Sequence, residues 1–529
     1  MLYLKALVAA AVLLVALAAT PPATAKRATA PPPPSAGLLE LPRFRHALVQ
    51  LERGSLRGAG GTLVSPSLRI WRLETASALR VLPPLLARGA VRAVEPDRPL
   101  RVDALAADPL SFTETWRALV GADRATPPGP GKPLTIVDTG LEAAHPEFAG
   151  RPNTSLLNTQ RLTESRQEWH GTAVASLAGA AENGRGIVGL YPQATLRVWD
   201  AGRPTLSRVL AGIEAAAAAA PGVVNLSLGF LSAEIAVPML DDAVQSAFKR
   251  NVLVVAAAGN DRERGSPASV PADLAHVLTV GSTDANGNVS RFSNRSEAVD
   301  LVAPGEELVA AAQGSWAPVT GTSFASPLVA SAGAWVWTAR PRLEKTQLFE
   351  LLRRSARDVA APGVDDDSGY GLLDVPAALA QAELPIDPKE PNDDVRHVKA
   401  GGISRTATPP LTTARRTRGA VAARLDASED PEDVYRVWVP GRRVVSLATA
   451  SAQDVDLDVW RPTTPSVLVE GATRRRFLLG SSARRASGTE RVTVRNRTTR
   501  GYYAYADVYL RENGPDTAEY RLTIAAAQR

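Results

Sequence analysis

Apolar residues occur in short unbroken runs through the middle of the chain, and longer segments with helical spacing lie between them. The runs that predict buried strands are 134–138, 194–199, 223–228, 252–258 and 277–281. Helices are predicted at 206–220, where an alanine run stops at Pro221 and Gly222, and at 235–250. Unbroken apolar strands separated by helices are typical of a parallel sheet that is covered on both faces. The pattern predicts an α/β sandwich with its functional groups at the carboxyl ends of the strands.

The pattern changes after residue 384. Residues 385–400 begin with a stretch rich in proline and acidic residues, which predicts a linker. Beyond it, short runs rich in β-branched and aromatic residues recur between turn residues, at 434–439, 443–448, 455–460, 491–494, 502–510 and 520–524. This spacing is typical of antiparallel sheets, so we expect residues 401–529 to form an all-β sandwich.

The amino-terminal end has the pattern of an export signal. Lys5 precedes an apolar run at 6–19, and Ala-Thr-Ala at 23–25 forms a small-residue cleavage pattern. A membrane anchor is the alternative, but it requires roughly 20 apolar residues, which is more than this run provides. The sequence therefore predicts a signal peptide at 1–25, no membrane span and a secreted, extracellular protein.

Two segments separate this signal from the α/β region. Residues 26–37 are a proline-rich spacer. Residues 38–103 have the pattern of a small α+β domain, with strands at 46–51, 68–73 and 90–97 and a helix at 75–87 that contains two prolines.

Composition narrows the possible functions. The 529 residues include no cysteine, so disulfide bonds and cysteine-based zinc sites are excluded, and the five histidines are scattered without zinc-type spacing. The formal charge of +6 comes mostly from arginines spread along the chain. Nucleic-acid binding proteins instead gather their basic residues on one element, so no nucleic-acid partner is expected; weak adhesion to acidic polymers is a minor possibility.

Ser323 is the first candidate for chemistry. It lies in Gly-Thr-Ser-Phe-Ala-Ser-Pro at 321–327, directly before an apolar, small-residue run at 328–335 that predicts a buried helix. Proline is tolerated in the first turn of a helix, so Ser323 is expected at the helix N-terminus. The unpaired N–H groups and positive dipole there favour a nucleophile that must generate an oxyanion. For this serine alone, an ordinary helix cap is the alternative.

Two upstream motifs favour a catalytic role for Ser323 over that of a helix cap. Asp138 ends the apolar strand 134–138 and is followed by Thr-Gly, and His170 opens a small-residue helix with Gly-Thr. The order Asp, His, Ser is that of subtilisin. Over about 109–384 the chain thus resembles the subtilisin-like serine peptidases, or subtilases.

The resemblance implies a role for each of these groups. Ser323 attacks the scissile carbonyl, His170 acts as general base and then general acid, and Asp138 orients the imidazole and stabilises the imidazolium. Asn260, which follows the strand 252–258, matches the amide that binds the oxyanion in the family. An isolated Gly-Asn would otherwise be interpreted as a turn.

The resemblance also implies a substrate cleft. The segment 223–229 resembles the subtilase strand that pairs with an extended peptide. The residues expected to bind substrate, none of which is a carboxylate, are Ser227, Leu228, Gly229, Ala257 and Gly259. We therefore expect a neutral or hydrophobic residue before the cleaved bond.

Three positions depart from the family pattern. Phe324 stands where methionine is common, and phenylalanine cannot form a sulfoxide, so activity is expected to survive peroxide. Ala173 and Leu328 stand where histidine is frequent. None of these changes removes a catalytic group.

Calcium is the one cofactor that the resemblance suggests, in a structural role. Glu147 matches an acid that binds calcium in the family, and Asn183 lies in the loop 181–187 that completes the site. Oxygen ligands of this kind suit calcium. A glycine-rich surface turn is the alternative.

The flanking regions resemble known companions of secreted bacterial peptidases. Residues 38–103 resemble an inhibitory propeptide, with maturation near 101–108. The carboxyl-terminal region resembles the bacterial pre-peptidase C-terminal domain, and its acidic clusters at 390–394, 430–433 and 454–458 are candidates for calcium binding or for solvated turns.

Three other interpretations remain open at this stage. Asp138 and Asp367 each begin an Asp-(Thr/Ser)-Gly triplet, as in aspartic peptidases, but that interpretation leaves His170, Asn260 and Ser323 unexplained. A catalytically silent pseudopeptidase and a narrow-specificity processing peptidase are the others. The sequence predicts a secreted serine endopeptidase with its catalytic domain at 104–384, protein or peptide substrates and its own propeptide as inhibitor.

Overall fold

The computed structural model describes residues 41–43, 45–97, 108–158, 169–231, 237–484, 489–511 and 516–526. The predicted signal peptide and proline-rich spacer lie outside the described residues, as does almost all of the expected maturation segment. The chain divides along its sequence into two compact units, residues 1–106 and residues 107–529. Among the helices of the described ranges, none is both long enough and apolar enough to cross a membrane.

The first unit is a small sheet with one helix. Its four antiparallel strands, in the order β2-β3-β1-β4, are β1 (His46–Leu51), β2 (Thr62–Ser65), β3 (Ile70–Glu74) and β4 (Val91–Pro96). Helix α1 (Thr75–Ala87) covers the sheet and contains Pro83 and Pro84. Apolar residues of the strands and the helix form one buried core. The short turns Leu41–Arg43 and Arg57–Ala59 are 3₁₀ helices.

A seven-stranded sheet forms the centre of the second unit. Its strands, all parallel, are β5 (Pro133–Asp138), β6 (Thr154–Leu156), β7 (Thr195–Asp200), β8 (Gly222–Leu226), β10 (Val252–Ala257), β12 (Val277–Thr283) and β13 (Leu301–Pro304). Their order is β13-β12-β10-β8-β5-β7-β6. Two small antiparallel pairs accompany this sheet: β9 (Phe230–Leu231) with β11 (Ser269–Val270), and β14 (Leu308–Ala312) with β15 (Ser315–Val319).

Helices cover both faces of this sheet, as its unbroken apolar strands require. The helices of this part are α2 (Thr115–Leu119), α3 (Trp169–Gly179), α4 (Leu206–Ala217), α5 (Pro238–Lys249), α6 (Thr322–Ala339), α7 (Lys345–Arg354) and α8 (Val375–Ala380). Leu134 and Ile136 face a core that contains α3 and α6, whereas Val137 faces a second core that contains α4 and α5. The predicted parallel α/β fold is confirmed.

The rest of the second unit consists of two four-stranded antiparallel sheets. The strands are β16 (Arg418–Asp426), β17 (Glu432–Val439), β18 (Val444–Ser451), β19 (Asp456–Trp460), β20 (Leu478–Ser482), β21 (Arg491–Arg495), β22 (Tyr502–Tyr509) and β23 (Thr517–Ala526). Their orders are β16-β23-β18-β21 and β17-β22-β19-β20. Apolar residues of both sheets meet in a single core. The short helices α9 (Val395–Val398) and α10 (Gly471–Phe477) belong to this region.

Buried ion pairs join the α/β part to this β-rich part. Arg353, on α7, lies 3.0 Å from Asp300 and 3.5 Å from Asp426 of β16. The Arg353 side chain is 3% exposed, so it is held by carboxylates from both parts of the unit. Glu350, also on α7, pairs with Arg353 at 2.9 Å and with Arg424 of β16.

Candidate active site

Asp138 and His170 are brought together by the end of β5 and the start of α3. Asp138 is 1% exposed, and its Oδ1 accepts hydrogen bonds from His170 Nδ1 at 2.8 Å and from the Thr139 N–H at 2.7 Å. Thr139 Oγ1 in turn accepts from the Gly171 N–H at 3.0 Å. A side chain at position 171 would collide with the carbonyl oxygen of Gly140, so only glycine allows the helix to start this close to the strand.

This contact determines the proton-binding behaviour of His170. Burial alone would lower the pKa of the imidazole, but the charge and the hydrogen bond of Asp138 outweigh burial and raise the pKa above its ordinary value. Because Nδ1 is engaged with Asp138, Nε2 is the nitrogen that remains for chemistry. The His170 side chain is 27% exposed, so the ring is not sealed inside the protein.

Ser323 is the second residue of α6, close to His170. The ring of Phe324, the next residue, lies 5.3 Å from the His170 ring between centroids. Among the described residues, Ser323 Oγ donates its hydrogen bond to the Ser227 carbonyl oxygen at 3.3 Å and makes none to His170. A rotation about the Cα–Cβ bond of Ser323 would therefore precede a hydrogen bond to His170, and such bonds commonly tighten only when substrate is present.

Asn260 follows β10 and faces the start of α6. Its Oδ1 accepts hydrogen bonds from the Thr322 N–H at 2.9 Å and from Thr322 Oγ1 at 3.1 Å. With two donors on the oxygen, the orientation of the amide is determined and its NH₂ group is the one left for a ligand. Gly259 has a φ of 105° and packs against Asn294, which leaves no room for a side chain at this turn.

A buried polar network behind Ser323 was not identified from the sequence. Asn225, at 0% exposure on β8, donates from Nδ2 to Ser227 Oγ at 2.9 Å and accepts from Ser326 Oγ at 2.7 Å. Ser227 Oγ donates to the Ser323 carbonyl oxygen at 2.7 Å. These bonds connect the strand to both ends of the first turn of α6 and so fix the backbone of Ser323.

A cleft of 260 Å³ opens beside these groups, lined by Leu228, Gly229, Ala257, Gly259, Asn260, Asp261, Ser269, Thr322 and Ser323. Four of the five residues expected to bind substrate are in this lining, and the fifth, Ser227, touches Ser323 directly. The lining also contains one carboxylate, Asp261, which was not among the predicted residues. Its Oδ1 accepts a hydrogen bond from Arg264 Nη1 at 2.9 Å. The lining is otherwise uncharged.

Glu147 and Asn183 lie at a second site, together with Asp108. Asp108 Oδ1 accepts from the N–H groups of Asn183 at 3.2 Å and Arg185 at 2.5 Å, and Glu147 Oε1 accepts from the Ile187 N–H at 2.9 Å. One oxygen of each of Asp108, Glu147 and Asn183 is buried without a hydrogen-bond partner. Burial raises the pKa of Glu147 to about 7, so its charge lacks compensation. Three unpaired oxygens around one loop fit a hard cation such as calcium.

Asp367, the second acid of the aspartic peptidase alternative, has different partners from Asp138. Its Oδ1 pairs with Arg262 at 2.7 Å and lies 3.8 Å from Arg295. Asp367 thus belongs to a surface ion-pair group, whereas Asp138 binds an imidazole.

Comparison with known proteins adds an independent line of evidence. A model of the subtilase family matches residues 129–371. Subtilisin BL from Lederbergia lenta is 36% identical over 255 residues, which cover 47% of this chain and 91% of that protein. Subtilisin Savinase from the same organism is 35% identical over the same shares of both chains. A solved cold adapted subtilisin-like serine proteinase is 29% identical, with a TM-score of 0.40 over 46% of this chain and 89% of that one. The chain belongs to the subtilase family and is a serine-type endopeptidase.

Proposed function

We propose that this protein is a secreted endopeptidase whose nucleophile is Ser323, with His170 and Asp138 completing a catalytic triad. The observation that carries the proposal is the 2.8 Å hydrogen bond from His170 Nδ1 to the buried Asp138 carboxylate. This bond engages Nδ1 and leaves Nε2 for proton transfer, and the ring lies beside Phe324, the residue that follows Ser323 in the first turn of α6.

Each step then has an assigned group. Ser323 Oγ attacks the scissile carbonyl carbon while its proton passes to His170 Nε2, and Asp138 stabilises the imidazolium. The carbonyl oxygen becomes an oxyanion, which the NH₂ group of Asn260 binds. When the C–N bond breaks, His170 returns the proton to the leaving amine and an acyl-enzyme remains. Water then attacks the acyl carbon while one of its protons passes to His170 Nε2. His170 gives this proton to Ser323 Oγ as the acyl–oxygen bond breaks, so the carboxylic acid leaves and the free serine is restored.

The composition of the cleft supports a preference for a neutral or hydrophobic residue before the cleaved bond. Eight of the nine lining residues are uncharged, and the one carboxylate, Asp261, is already paired with Arg264. A peptide library with one varied position before the scissile bond tests this. A preference for Lys or Arg that is lost in Asp261→Asn would contradict it.

The remaining domains are part of the same proposal. Residues 1–25 act as a signal peptide and 26–37 as a spacer. Residues 38–103 act as an intramolecular inhibitor of the catalytic domain, 104–384. A linker at 385–400 leads to a β-sandwich of the pre-peptidase C-terminal type at 401–529. The segment 38–103, produced as a separate polypeptide and added to the mature enzyme, should inhibit it. Unchanged activity in the presence of this segment would contradict the inhibitor role.

Glu147, Asn183 and Asp108 are proposed to hold a structural calcium ion. The ion would supply positive charge to the three unpaired oxygens and connect the loop of Asn183 to the segment of Glu147. No catalytic step passes through it.

The deciding experiment is labelling of the secreted, processed protein with a fluorophosphonate probe. The wild type should be labelled and Ser323→Ala should not. Ser331→Ala is the matched control, because Ser331 is a buried serine of the same helix whose hydroxyl bonds only to carbonyls of α6. If the wild type stays unlabelled after the propeptide has been removed, Ser323 is not an activated nucleophile and the pseudopeptidase interpretation replaces the triad.

A further inference from the structure

A cluster of buried acids and one histidine lies at the junction of the α/β part and the β-rich part, distant in sequence from the proposed catalytic residues. Its members are His276, Glu390, Asp393 and Asp430, and one ligand atom of each lies within 4.8 Å of the others. His276 immediately precedes β12 of the α/β sheet. Glu390 and Asp393 precede α9, and Asp430 precedes β17.

The tautomer of His276 is determined by its neighbour on α5. Gln245 donates from Nε2 to the Ala275 carbonyl oxygen at 2.9 Å, so its Oε1 is the acceptor for His276 Nδ1, also at 2.9 Å. His276 therefore carries its proton on Nδ1, and Nε2 presents a lone pair. In the neutral ring, Nε2 is then the acceptor. A hydrogen bond that fixes the far nitrogen of the ring is the usual arrangement around a metal-binding histidine.

That lone pair faces a carboxylate. His276 Nε2 lies 3.4 Å from Glu390 Oε2, has no hydrogen-bond partner and belongs to a residue that is 5% exposed. Two acceptors this close repel each other unless something positive lies between them. A shared proton would draw them to about 2.7–3.2 Å. Two ligands bonded at about 2.0–2.1 Å to one tetrahedral ion would be about 3.4 Å apart, which is the separation found.

The carboxylates of the cluster also have unpaired oxygens, although Asp393 Oδ1 lies 3.5 Å from His397 Nδ1. Glu390 Oε1, Asp393 Oδ1 and Asp430 Oδ1 are all buried without a hydrogen-bond partner. A divalent cation would compensate several of these charges at once.

We propose that His276, Glu390, Asp393 and Asp430 form a structural zinc site that fastens the β-rich part to the catalytic α/β part. One imidazole nitrogen with carboxylate oxygens at these separations is a donor set for Zn²⁺. Because His276 belongs to the α/β part and Asp430 to the β-rich part, the ion bridges them. An oxygen-only group, made of Asp387, Glu390, Asp430 and Asp433, shares two of these acids and is the competing site.

The test uses the full chain carrying Ser323→Ala in every sample, so that self-digestion is not a variable. After treatment with chelator, Zn²⁺ and Ca²⁺ are titrated separately by calorimetry, and retained metal is measured by mass spectrometry. We expect one Zn²⁺ at this site, with affinity at least about tenfold weaker in His276→Gln and in Asp430→Asn. Glu429→Gln is the matched control. In the wild type, Glu429 Oε2 accepts a hydrogen bond from the backbone N–H of His276 at 2.9 Å, and glutamine removes this neighbouring buried charge but keeps an acceptor for that N–H.

Each result of the metal titrations either supports or overturns the zinc site. Zinc binding that is weakened in the two ligand variants and unchanged in Glu429→Gln supports the site. Failure of the parent protein to bind Zn²⁺, or equal binding by His276→Gln, overturns it. Calcium binding without zinc binding also overturns it, and calcium binding that survives in Glu147→Gln but is lost in Asp430→Asn assigns the pocket to the oxygen-only group. If a variant does not fold, zinc X-ray absorption of the parent protein decides, since a spectrum without imidazole scattering excludes His276 as a ligand.

Discussion

Ser326 Oγ donates a 2.7 Å hydrogen bond to Oδ1 of Asn225, and both residues are completely buried. Asn225 Nδ2 donates a hydrogen bond to Ser227 Oγ, and this hydroxyl donates to the carbonyl oxygen of Ser323. The proposed nucleophile is thus held by a side chain that lies 98 positions earlier in the chain and does not touch substrate.

The substitution Asn225→Ala should reduce both stability and turnover. It leaves the hydroxyls of Ser326 and Ser227 without their buried partner, which costs about 1–3 kcal/mol in the free energy of unfolding. The looser turn at Ser323 should lower kcat more than it raises KM, because positioning matters most in the transition state. Denaturant unfolding and steady-state kinetics measure the two effects, with Ser331→Ala as control. Unchanged kcat in a destabilised Asn225→Ala variant would show a purely structural role.

Replacing Asp138 by asparagine should lower kcat by about 10⁴-fold, because the imidazole is left in the wrong tautomer and its cation is no longer stabilised. Steady-state kinetics on one peptide substrate measure this loss.

The pH profile of the same variant provides a second measurement. His170 must be neutral to act as base, so kcat/KM of the wild type should rise with pH through a pKa above the ordinary value for histidine. In Asp138→Asn the influence that raises this pKa is gone, and the acid limb of the residual activity should move to lower pH. A limb that stays in place would exclude His170 as the titrating group.

The same raised pKa affects stability. The contribution of the His170–Asp138 pair to folding is fully present below the ordinary pKa of histidine and is lost as the pH rises through the folded-state pKa. The free energy of unfolding of the wild type should therefore fall as the pH rises through the neutral range, and this fall should be absent from Asp138→Asn.

Asn260→Ala should lower kcat by about 10²- to 10³-fold with little change in KM, a range that was itself established on subtilisin. Thr322→Val removes one of the two donors to Asn260 Oδ1 and should give a smaller decrease, since the amide is still oriented by the Thr322 N–H. Kinetics on one peptide substrate compare the variants. Equal losses in kcat and in ground-state binding of a non-reactive peptide would contradict an oxyanion role for Asn260.

Calcium should raise the midpoint of thermal unfolding of the wild type, and chelation should lower it, since an ion that binds only the folded state stabilises it. Glu147→Gln should lose most of this response because it removes one of the unpaired carboxylates. Glu297→Gln, which changes an exposed acid, is the control. A calcium response of the same size in Glu147→Gln would locate the ion elsewhere.

Activity should survive mild hydrogen peroxide. Phe324 contacts the His170 ring and cannot form a sulfoxide, and the chain has only two methionines, Met1 and the exposed Met239. The matched variant Phe324→Met should become sensitive under identical treatment. Rapid inactivation of the wild type would show that another group near the site is oxidised.

The sequence was informative where a feature depends on neighbouring residues. Asp138, His170, Asn260 and Ser323 each lie at the end of a strand or the start of a helix, and a parallel sheet brings such ends to one edge. Five of the seven strands of the parallel sheet were found because burial on both faces produces unbroken apolar runs; β6 and β13, which have only three and four residues, were not predicted. In the β-rich part, β16 was missed because its sequence mixes arginine and alanine, so its alternation of apolar and polar positions is weak.

Features that depend on distant partners were not predictable in this way. Asn225 looked like part of a core strand, because nothing local reveals that its amide meets Ser326. The acids and histidine at the junction come from three separate segments, so no motif with metal-ligand spacing exists in the sequence. Asp108 was overlooked for the same reason, as its partners Asn183 and Arg185 lie more than 70 residues away.

The burial of Arg353 has a consequence for how this protein could be recombined with others. A catalytic region transplanted without the β-rich part would keep the Arg353–Asp300 pair but lose Asp426, one of the carboxylates around this buried guanidinium. Breaking a buried pair by removing one partner typically costs about 3–5 kcal/mol. A shuffled gene that exchanges the tail should therefore keep a carboxylate at the position of Asp426 if the hybrid is to retain its stability.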